Sequence, residues 1–246
     1  MSRPAGRLNT YVQGIWSASV AKSQREPIVK SLYSDAASGI VFHLHGEVKI
    51  SGNPIPHGVV LLPVERVSQR ISLSAEAQLA GIRFHPAISY GVLGRLYDEP
   101  TLLSPSNDSL YHFYDLYCEL KQPSDNNKRV ETINRWVDEH VDFSNIIPVS
   151  LQRALDCINQ DMAPGELDGQ VSLSQRQIER QFKQWIEMTP KQYQRILRVR
   201  NALDYLRNNR QAELVDVAQR FGFSDQAHMT REFRAIAAIT PGKLMR

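Results

Sequence analysis

The sequence has few of the features that mark exported, membrane-spanning or disulfide-stabilised proteins. It contains only two cysteines in 246 residues, Cys118 and Cys157, and their spacing indicates neither a disulfide framework nor a zinc site. The longest apolar run, Gly58 to Val64, is too short to span a bilayer. The first ten residues lack the apolar stretch of a signal peptide. We therefore expect a cytoplasmic protein with no membrane partner.

The chain also lacks the short motifs of common enzyme classes. It has no glycine-rich phosphate loop, no serine-nucleophile elbow and no paired-cysteine zinc motif. His43 and His45 lie two residues apart on a predicted strand, and hence on one face of it. With Glu47, and with His57 or His85 nearby, they leave open a cupin-like barrel metalloenzyme with a helical accessory domain, although the spacing differs from the usual cupin motif. We predict no catalytic residues, no metal and no cofactor.

Positive charge is concentrated in the second part of the chain. Residues 151–246 carry 15 Lys and Arg against 11 Asp and Glu, whereas residues 1–150 carry 14 against 15. The overall composition, 42% apolar and 22% charged, is ordinary for a globular protein. The uneven charge points weakly to a polyanion as the partner of the C-terminal part.

The first hundred residues have the pattern of short strands. The stretches "GIVFHLHGEVKI", "VVLLPV" and "AQLAGIRFHP" are rich in β-branched and aromatic residues, and turn residues such as "SGNPIPHG" separate them. Short strands at near-regular spacing favour a small antiparallel barrel or sandwich. The sequence therefore predicts a two-domain α+β protein, in which residues 1–105 form a β-rich, cupin-like barrel with flanking helices.

Residues 106–147 have helical periodicity and are predicted to be a helical connector. The sequence "KQPSDNNK" separates two helices, near residues 110–121 and 129–141, with turn and capping residues. These helices would either form a dimer seam or cover the barrel. Their apolar stripes consist of Leu110, Phe113, Tyr117 and Leu120 in the first, and Val130, Ile133, Trp136, Val137 and Val141 in the second.

Residues 148–246 are predicted to be helical throughout. Ser174 and Thr189 suit helix N-caps, Pro190 suits a first turn, and Asn208–Asn209 suit a helix end. The predicted helices run from about Val149 to Gln160, through "DMAPGELDGQV", from Ser174, from Thr189 to Asn208, from Glu213 to Phe221 and from Asp225 to Ala235, with a final turn after Pro241.

One helical unit occurs twice in this domain, about fifty residues apart. Aligning "LSQRQIERQFKQWIEMTPKQYQR" with "RFGFSDQAHMTREFRAIAAITPGKLMR" places Arg180 on Arg231 and Pro190 on Pro241. In each copy a short helix, a tight turn and a second helix follow one another, and Gly222 suits the turn of the later copy. The outward faces carry Arg, Gln, Thr and Lys, which suit base edges and phosphates in a major groove.

The C-terminal sequence resembles the AraC/XylS transcriptional regulators. The stretch "AQRFGFSDQAHMTREFRAIAAITPGKLMR" carries their signature, and Tyr193, Arg198 and Ala202 stand where their linking helix has tyrosine, arginine and alanine. The resemblance covers residues 148–246 and implies a sequence-specific, double-stranded DNA-binding regulator with two helix-turn-helix units. A linking helix of roughly 27 Å would let one subunit read two successive major-groove segments, near 34 Å apart.

The resemblance also assigns site residues by position. The reading residues of the first unit are Arg176, Glu179 and Arg180, with Gln175 and Lys183 near phosphates. Those of the second unit are Gln226, Ala227, Thr230 and Arg231, with His228 alongside and Arg234 near a phosphate. Arginine can bond guanine with two hydrogen bonds and glutamine can pair with adenine, whereas phosphate contacts carry no sequence information.

Three residues depart from the family pattern. Asp168 stands where the family usually has a packed alanine, Ser172 replaces the turn glycine that Gly222 supplies in the later copy, and Ala238 replaces a glycine before the final "TP". These departures predict that the first unit packs less tightly or docks differently.

For the N-terminal domain the resemblance implies a sensory or dimerising role. The expected partners are a small-molecule effector, a second copy of the chain and RNA polymerase, since activation through the polymerase is the usual mode of the family. The candidate effector-binding residues are Trp16, His43, His45, Arg83 and His85.

Overall fold

The protein, described from a computed structural model, has strands in its N-terminal half and helices in its C-terminal half. The structure describes Pro4 and residues 6–122 and 125–245; Pro123 and Ser124, in the predicted turn, lie outside them. The strands are β1 (Val12–Ser19), β2 (Ile28–Leu32), β3 (Gly39–His45), β4 (Val48–Ile50), β5 (Asn53–Pro54), β6 (Gly58–Leu62), β7 (Gln69–Leu73), β8 (Gln78–Phe84) and β9 (Thr101–Leu102).

The α-helices among these residues are α1 (Ile88–Leu93), α2 (Phe113–Lys121), α3 (Asn126–His140), α4 (Val149–Asn159), α5 (Gln175–Ile186), α6 (Pro190–Asn208), α7 (Leu214–Arg220) and α8 (Gln226–Ala237). The chain divides into two compact units. The N-terminal unit takes the described residues of Met1–Ser31, Ala37–Val64 and Arg70–Ile147. The C-terminal unit takes those of Pro148–Arg246 and two short earlier segments, Leu32–Ala36 and Glu65–Gln69.

Two sheets form the N-terminal unit. One has the strand order β1-β8-β3-β6-β9 and the other has the order β2-β7-β4-β5. The pairings of β8 with β1 and β3, of β6 with β3 and β9, and of β4 with β5 and β7 are antiparallel. The predicted β-rich fold is confirmed, but the barrel is not closed. Closure requires continuous pairing around the barrel, and two of the four edge strands, β5 and β9, are only two residues long.

The strand β3 places its two histidines in different surroundings. Its register with β8 shifts between His43 and His45, so that His43 is 1% exposed while His45 faces solvent. The expectation that they share one face is therefore wrong. The His43 ring lies between backbone carbonyls, with Nδ1 3.0 Å from Pro56 O and Nε2 2.9 Å from Gly46 O. Burial lowers the pKa of this imidazole.

No group of three or more His, Cys, Asp or Glu within the described residues is placed to hold a metal ion. Two hydrogen-bonding sites of His43 already lie against backbone oxygens, as the distances above show. The arrangement therefore does not support the metalloenzyme alternative.

Helices α2 and α3 pack within the N-terminal unit. Their buried residues include Phe113, Leu116, Leu120, Ile133, Trp136 and Val137, which cover the strands and each other. The sequence left two roles open for these apolar stripes, a dimer seam or a cover for the strands, and the structure shows that they cover the strands. Leu110 was expected in the first stripe, but it precedes α2 in a turn and is 72% exposed, because the helix begins only at Phe113.

The buried guanidinium of Arg129 anchors α3 to the sheet. Its Nε donates to Leu120 O at 3.1 Å, one terminal nitrogen donates to Ser19 Oγ at 3.1 Å and the other donates to Gln78 Oε1 at 2.5 Å. All three acceptors are neutral, and burial lowers the pKa of Arg129. Hydrogen bonds satisfy this buried polar group, as its burial requires.

The predicted helix ends in the C-terminal unit agree closely with the structure. Thr189 caps α6 by accepting from the Gln192 N–H, Pro190 is its first residue, and Asn209 follows its end. No helix of the described chain is long and apolar enough to cross a membrane.

The turn of the first helix-turn-helix unit differs from that of the second. Its first helix is a short 3-10 helix, Pro164–Gly169, and Asp168 and Ser172 are exposed. Gly222 makes the turn of the second unit at φ 70°, a left-handed conformation that glycine adopts without penalty. Ser172 has no such positive φ, so the turn of the first unit has a different backbone conformation.

We predict that Ala238→Gly raises the free energy of unfolding by about 1 kcal/mol, because Ala238 has a left-handed backbone at φ 55° and ψ 23° that is unfavourable for a residue with a Cβ. Denaturant unfolding measures the change. The control is Ala235→Gly, in the exposed interior of the same helix, which should lower the same free energy by about 1 kcal/mol. Equal losses in both variants would contradict the prediction.

Candidate nucleic-acid interface

Helices α5 and α8 are structural copies of each other. Each is 12 residues long. Their N-caps, Ser174 and Asp225, lie at equivalent places, as do the residues that end them, Glu187 and Ala238, both at φ 55°. The internal duplication inferred from sequence is thus present in three dimensions, down to the backbone conformation of the helix ends.

Capping fixes the N-terminal turn of each copy. The Ser174 N–H and hydroxyl both lie 2.9 Å from Gln177 Oε1. In α8, Asp225 Oδ1 accepts the His228 N–H at 2.6 Å, and this backbone hydrogen bond lowers the pKa of the Asp225 carboxyl. N-terminal residues of a helix in the major groove are the ones that approach base edges, so these caps order the segment that is predicted to contact DNA.

The outward faces of both helices carry arginines whose guanidinium groups form no hydrogen bond or ion pair. Among the described residues of α5 and α8, the exposed arginines Arg176, Arg180, Arg231 and Arg234 make no hydrogen bond or ion pair. An exposed arginine can form an ion pair with a nearby carboxylate. The outward arginines of α5 and α8 form no such ion pair. The result is a pair of positively charged helix surfaces with hydrogen-bond donors facing solvent.

The other predicted reading residues have more varied surroundings. Glu179, Gln226 and Ala227 are exposed. Gln175 is half-buried and donates to Glu179 Oε1 at 3.3 Å. Thr230 donates its hydroxyl to Gln226 O at 2.9 Å, within its own helix. Lys183, predicted near a phosphate, places its ammonium 3.4 Å from Glu187 O, at the end of α5.

His228 is held in one tautomer. Its Nδ1 lies 3.2 Å from the backbone N–H of Ser224, and because a backbone N–H can only donate, Nδ1 must accept. In the neutral ring the proton is therefore on Nε2. The ring also meets Phe223 edge-on, with centroids 5.7 Å apart. This side chain thus presents a fixed donor beside the outward face of α8.

The linking helix α6 contacts both units through the residues that the family resemblance singled out. Tyr193 is buried, its hydroxyl donates to Asn159 Oδ1 at 3.0 Å, and its ring packs near Phe182 of α5. Arg198 lies over the Phe223 ring at 5.7 Å. Ala202 is fully buried. One helix therefore supports the first unit at its start and the second unit further along.

An ion pair that the sequence did not reveal joins α6 to α8. Arg195 Nε lies 2.8 Å from Glu232 Oε2, and its terminal nitrogen lies 2.9 Å from Oε1. This two-bond geometry is the strongest form of such a pair, and it lowers the pKa of the Glu232 carboxyl. The two residues are 37 positions apart on different helices, so no local pattern indicated the pairing.

The five candidate effector residues have different surroundings. Trp16 packs against the apolar core of the strands, with its ring against Gly81. Arg83 is half-buried and has a protein partner. His85 Nε2 lies 3.1 Å from Asn9 O. Within the N-terminal unit, an open pocket of 430 Å³ is lined instead by Arg95, Leu96, Tyr97, Asp98, Glu99 and Thr101.

Comparison with known proteins identifies the C-terminal region. A family model described as a helix-turn-helix domain matches residues 169–246. Over 65 residues the chain is 43% identical to the HTH-type transcriptional activator RhaS of Escherichia coli (strain K12 / DH10B). This region is an AraC-type helix-turn-helix domain.

The match to RhaS covers 26% of this chain and 23% of RhaS, so it concerns the AraC-type domain alone. Over the whole chain the fold resembles ToxT from Vibrio cholerae, with a TM-score of 0.50 and 9% identity over 94% of this chain and 96% of ToxT. A second ToxT structure, bound to (E)-4-(8-methylnaphthalen-1-yl)but-3-enoic acid, has the same TM-score at 7% identity and the same coverage. The shared feature is a strand-rich N-terminal part followed by a helical C-terminal part.

We predict that Glu232→Gln lowers the free energy of unfolding of the AraC-type domain by about 1 kcal/mol at pH 7, a value kept small because Arg195 is 44% exposed. Since the folded pKa of Glu232 is lowered, its contribution is present above the unfolded pKa of about 4.3 and is lost as the pH falls through the folded pKa.

Denaturant unfolding at pH 7 and at successively lower pH measures this difference between Glu232→Gln and the unaltered protein, which should shrink under acid conditions. The control is Glu131→Gln, at an exposed position of α3, which should change little at any pH. A Glu232→Gln effect that stays constant below pH 4 would exclude the ion pair as its cause.

Proposed function

We propose that this protein is a sequence-specific, double-stranded DNA-binding regulator of transcription that reads two successive major-groove segments. The observation that carries the proposal is the pair of equivalent helices, each with two exposed arginines that make no hydrogen bond or ion pair (Arg176 and Arg180 on α5, Arg231 and Arg234 on α8). The identity to RhaS, a transcriptional activator, supports the same function. An activator role and contact with RNA polymerase belong to the proposal.

The proposed reading residues are Arg176, Glu179, Arg180, Gln226, Ala227, Thr230 and Arg231, with Gln175, Lys183 and Arg234 at phosphates. His228 adds a donor through its Nε2–H, a group suited to the acceptor atoms of guanine or of a phosphate. Arginines that are already unpaired lose no protein ion pair on binding, so their contribution to affinity is not offset by a broken contact.

The linking helix α6 supplies the separation between the two reading helices. Its 19 residues correspond to a length of about 28 Å, close to the length expected from sequence. Together with the helices at its ends, this length suits two reading helices spaced near one duplex turn, about 34 Å. We therefore propose that a single chain contacts two neighbouring segments on the same face of DNA.

For the remaining chain we propose a division into residues 1–105 as an effector-sensing or dimerising domain, 106–147 as a helical connector and 148–246 as the DNA-binding domain. Binding of a small carboxylic acid by ToxT supports a ligand-responsive role for the strands. Arg83 on β8 carries the charge that an anionic effector would need.

Selection from a random duplex pool tests the reading of two segments. We expect two short preferred sequences separated by about one helical turn, since each helix-turn-helix unit reads one segment. A single short preferred segment would contradict reading by both units. Failure to retain any duplex at low salt would favour a different function, in which the helical units bind another protein instead of DNA.

We predict that Arg231→Ala weakens binding to the selected duplex by about 10- to 100-fold, because an arginine bonded to a guanine contributes about 1–3 kcal/mol of discrimination. Binding to random duplex should fall much less, and the affinity of both should decrease steeply with salt. Fluorescence anisotropy at several salt concentrations measures both.

The matched control is Arg210→Ala, which removes the same charge from an exposed position outside α5 and α8. It should weaken selected and random duplexes about equally and only slightly. Equal losses on the two duplexes for Arg231→Ala would show that Arg231 contacts phosphate and does not read a base.

A further inference from the structure

We propose that Arg66 and Ser68 are positioning residues that hold the two reading helices at a fixed separation, an inference that rests on the proposed function. The segment Glu65–Gln69, here called the bridging segment, belongs to the C-terminal unit. Arg66 donates from a terminal nitrogen to Glu187 O at 2.6 Å, at the end of α5. The Ser68 N–H donates to Ile236 O at 2.7 Å, in the last turn of α8.

Both bonds satisfy a need that helix geometry creates. The last four carbonyls of an α-helix have no partner within the helix, and a positive charge near them is favourable because the C-terminal end of the helix dipole is negative. Arg66 meets both conditions at α5, where Glu187 O also lies 3.4 Å from the Lys183 ammonium. Because three consecutive residues reach both helix ends, these two bonds oppose movement of the ends away from each other.

The bridging segment is itself held in place. Ser34, from the other short segment of the same unit, donates its hydroxyl to Glu65 O at 2.6 Å, and its N–H donates to Ser68 Oγ at 3.1 Å. Next to Ser34, the Tyr33 ring lies under the Arg207 guanidinium at 4.7 Å, near the end of α6. The two segments together therefore contact the C-terminal ends of α5, α6 and α8.

These contacts restrain the helices without covering the surfaces that would read DNA. Both bonds of the bridging segment go to main-chain oxygens at C-terminal helix ends. The reading residues of a helix-turn-helix lie towards the N-terminal end of the second helix, and the outward arginines of α5 and α8 make no hydrogen bond or ion pair with the bridging segment. The bridging segment therefore positions the two reading helices and does not block their outward surfaces.

A fixed separation matters only for a molecule that binds two segments at once. When one helix is bound, the second binds at an effective concentration set by how narrowly its position is restricted. Loosening the restraint lowers that concentration and adds an ordering cost on binding. Binding to one segment alone is unaffected, so the two kinds of duplex distinguish positioning from a general effect on the fold.

The first experiment measures the separation directly, in the absence of DNA. Spin labels are placed at the equivalent positions by Arg180→Cys and Arg231→Cys in a full-length background carrying Cys118→Ser and Cys157→Ser. Arg66→Ala and Ser34→Ala should each broaden the distribution of label distances. Arg70→Ala, which removes a nearby exposed charge that contacts neither helix, should leave it unchanged. An unaltered distribution in Arg66→Ala, or equal broadening in Arg70→Ala, overturns the proposal.

The second experiment uses the unlabelled chain with its native cysteines and compares a selected two-segment duplex with one in which a single segment is scrambled. Arg66→Ala should lose about tenfold in affinity for the first and keep its affinity for the second. Unchanged or tighter binding to the two-segment duplex overturns the positioning role. If the unaltered protein shows no preference for the two-segment duplex, the proposed function fails, while the label distances still decide whether the bridging segment restrains the helices.

Discussion

The burial of α6 is the constraint on which the C-terminal half depends. Its buried residues (Pro190, Tyr193, Ile196, Leu197, Val199, Ala202, Leu203 and Leu206) occupy most of the helix circumference, and such a helix is stable only when it is surrounded. Both helix-turn-helix units pack on it: the 3-10 helix Pro164–Gly169 and α5 of the first, and α8 of the second. Neither unit therefore has a complete core without the helix that also sets the distance between them.

Around this shared core the two units are held by different chemistry. The first unit relies on the buried Tyr193 hydroxyl and its Asn159 partner, whereas the second adds a two-bond ion pair between Arg195 and Glu232. The glycine turn of the second unit and the 3-10 helix of the first are consistent with that difference. Duplication of a sequence has preserved the reading helices more closely than the parts that support them.

Helix ends and the duplication could be predicted from the sequence because local chemistry decides them. Thr189, Pro190 and the pair Asn208–Asn209 act within one turn of where they stand, so their residue types alone indicate where α6 begins and ends. The strand regions were equally visible from their composition. Leu110 was misassigned because an apolar residue at helical spacing just before a helix is indistinguishable in sequence from one inside it.

Long-range pairings could not be read from the sequence. The separation of His43 from His45 depends on an irregular pairing with β8, and the failure of the sheets to close depends on the lengths of edge strands such as β9. Arg195 bonds Glu232, which is 37 residues away in the sequence, and Arg66 bonds Glu187 O, which is 121 residues away. Ordinary residues make these contacts, and only the folded chain brings them together.

The two copies differ in what they present outward, and under the proposed function this difference would give the bound DNA a direction. α5 offers Glu179 where α8 offers Thr230, and Arg176 where α8 offers Ala227. A symmetric dimer with identical reading helices recognises a palindrome, but a single chain that reads DNA with two unequal copies, as proposed, would recognise a left half and a right half that are not interchangeable. Inverting the DNA site would reverse the orientation of the whole molecule relative to a neighbouring promoter.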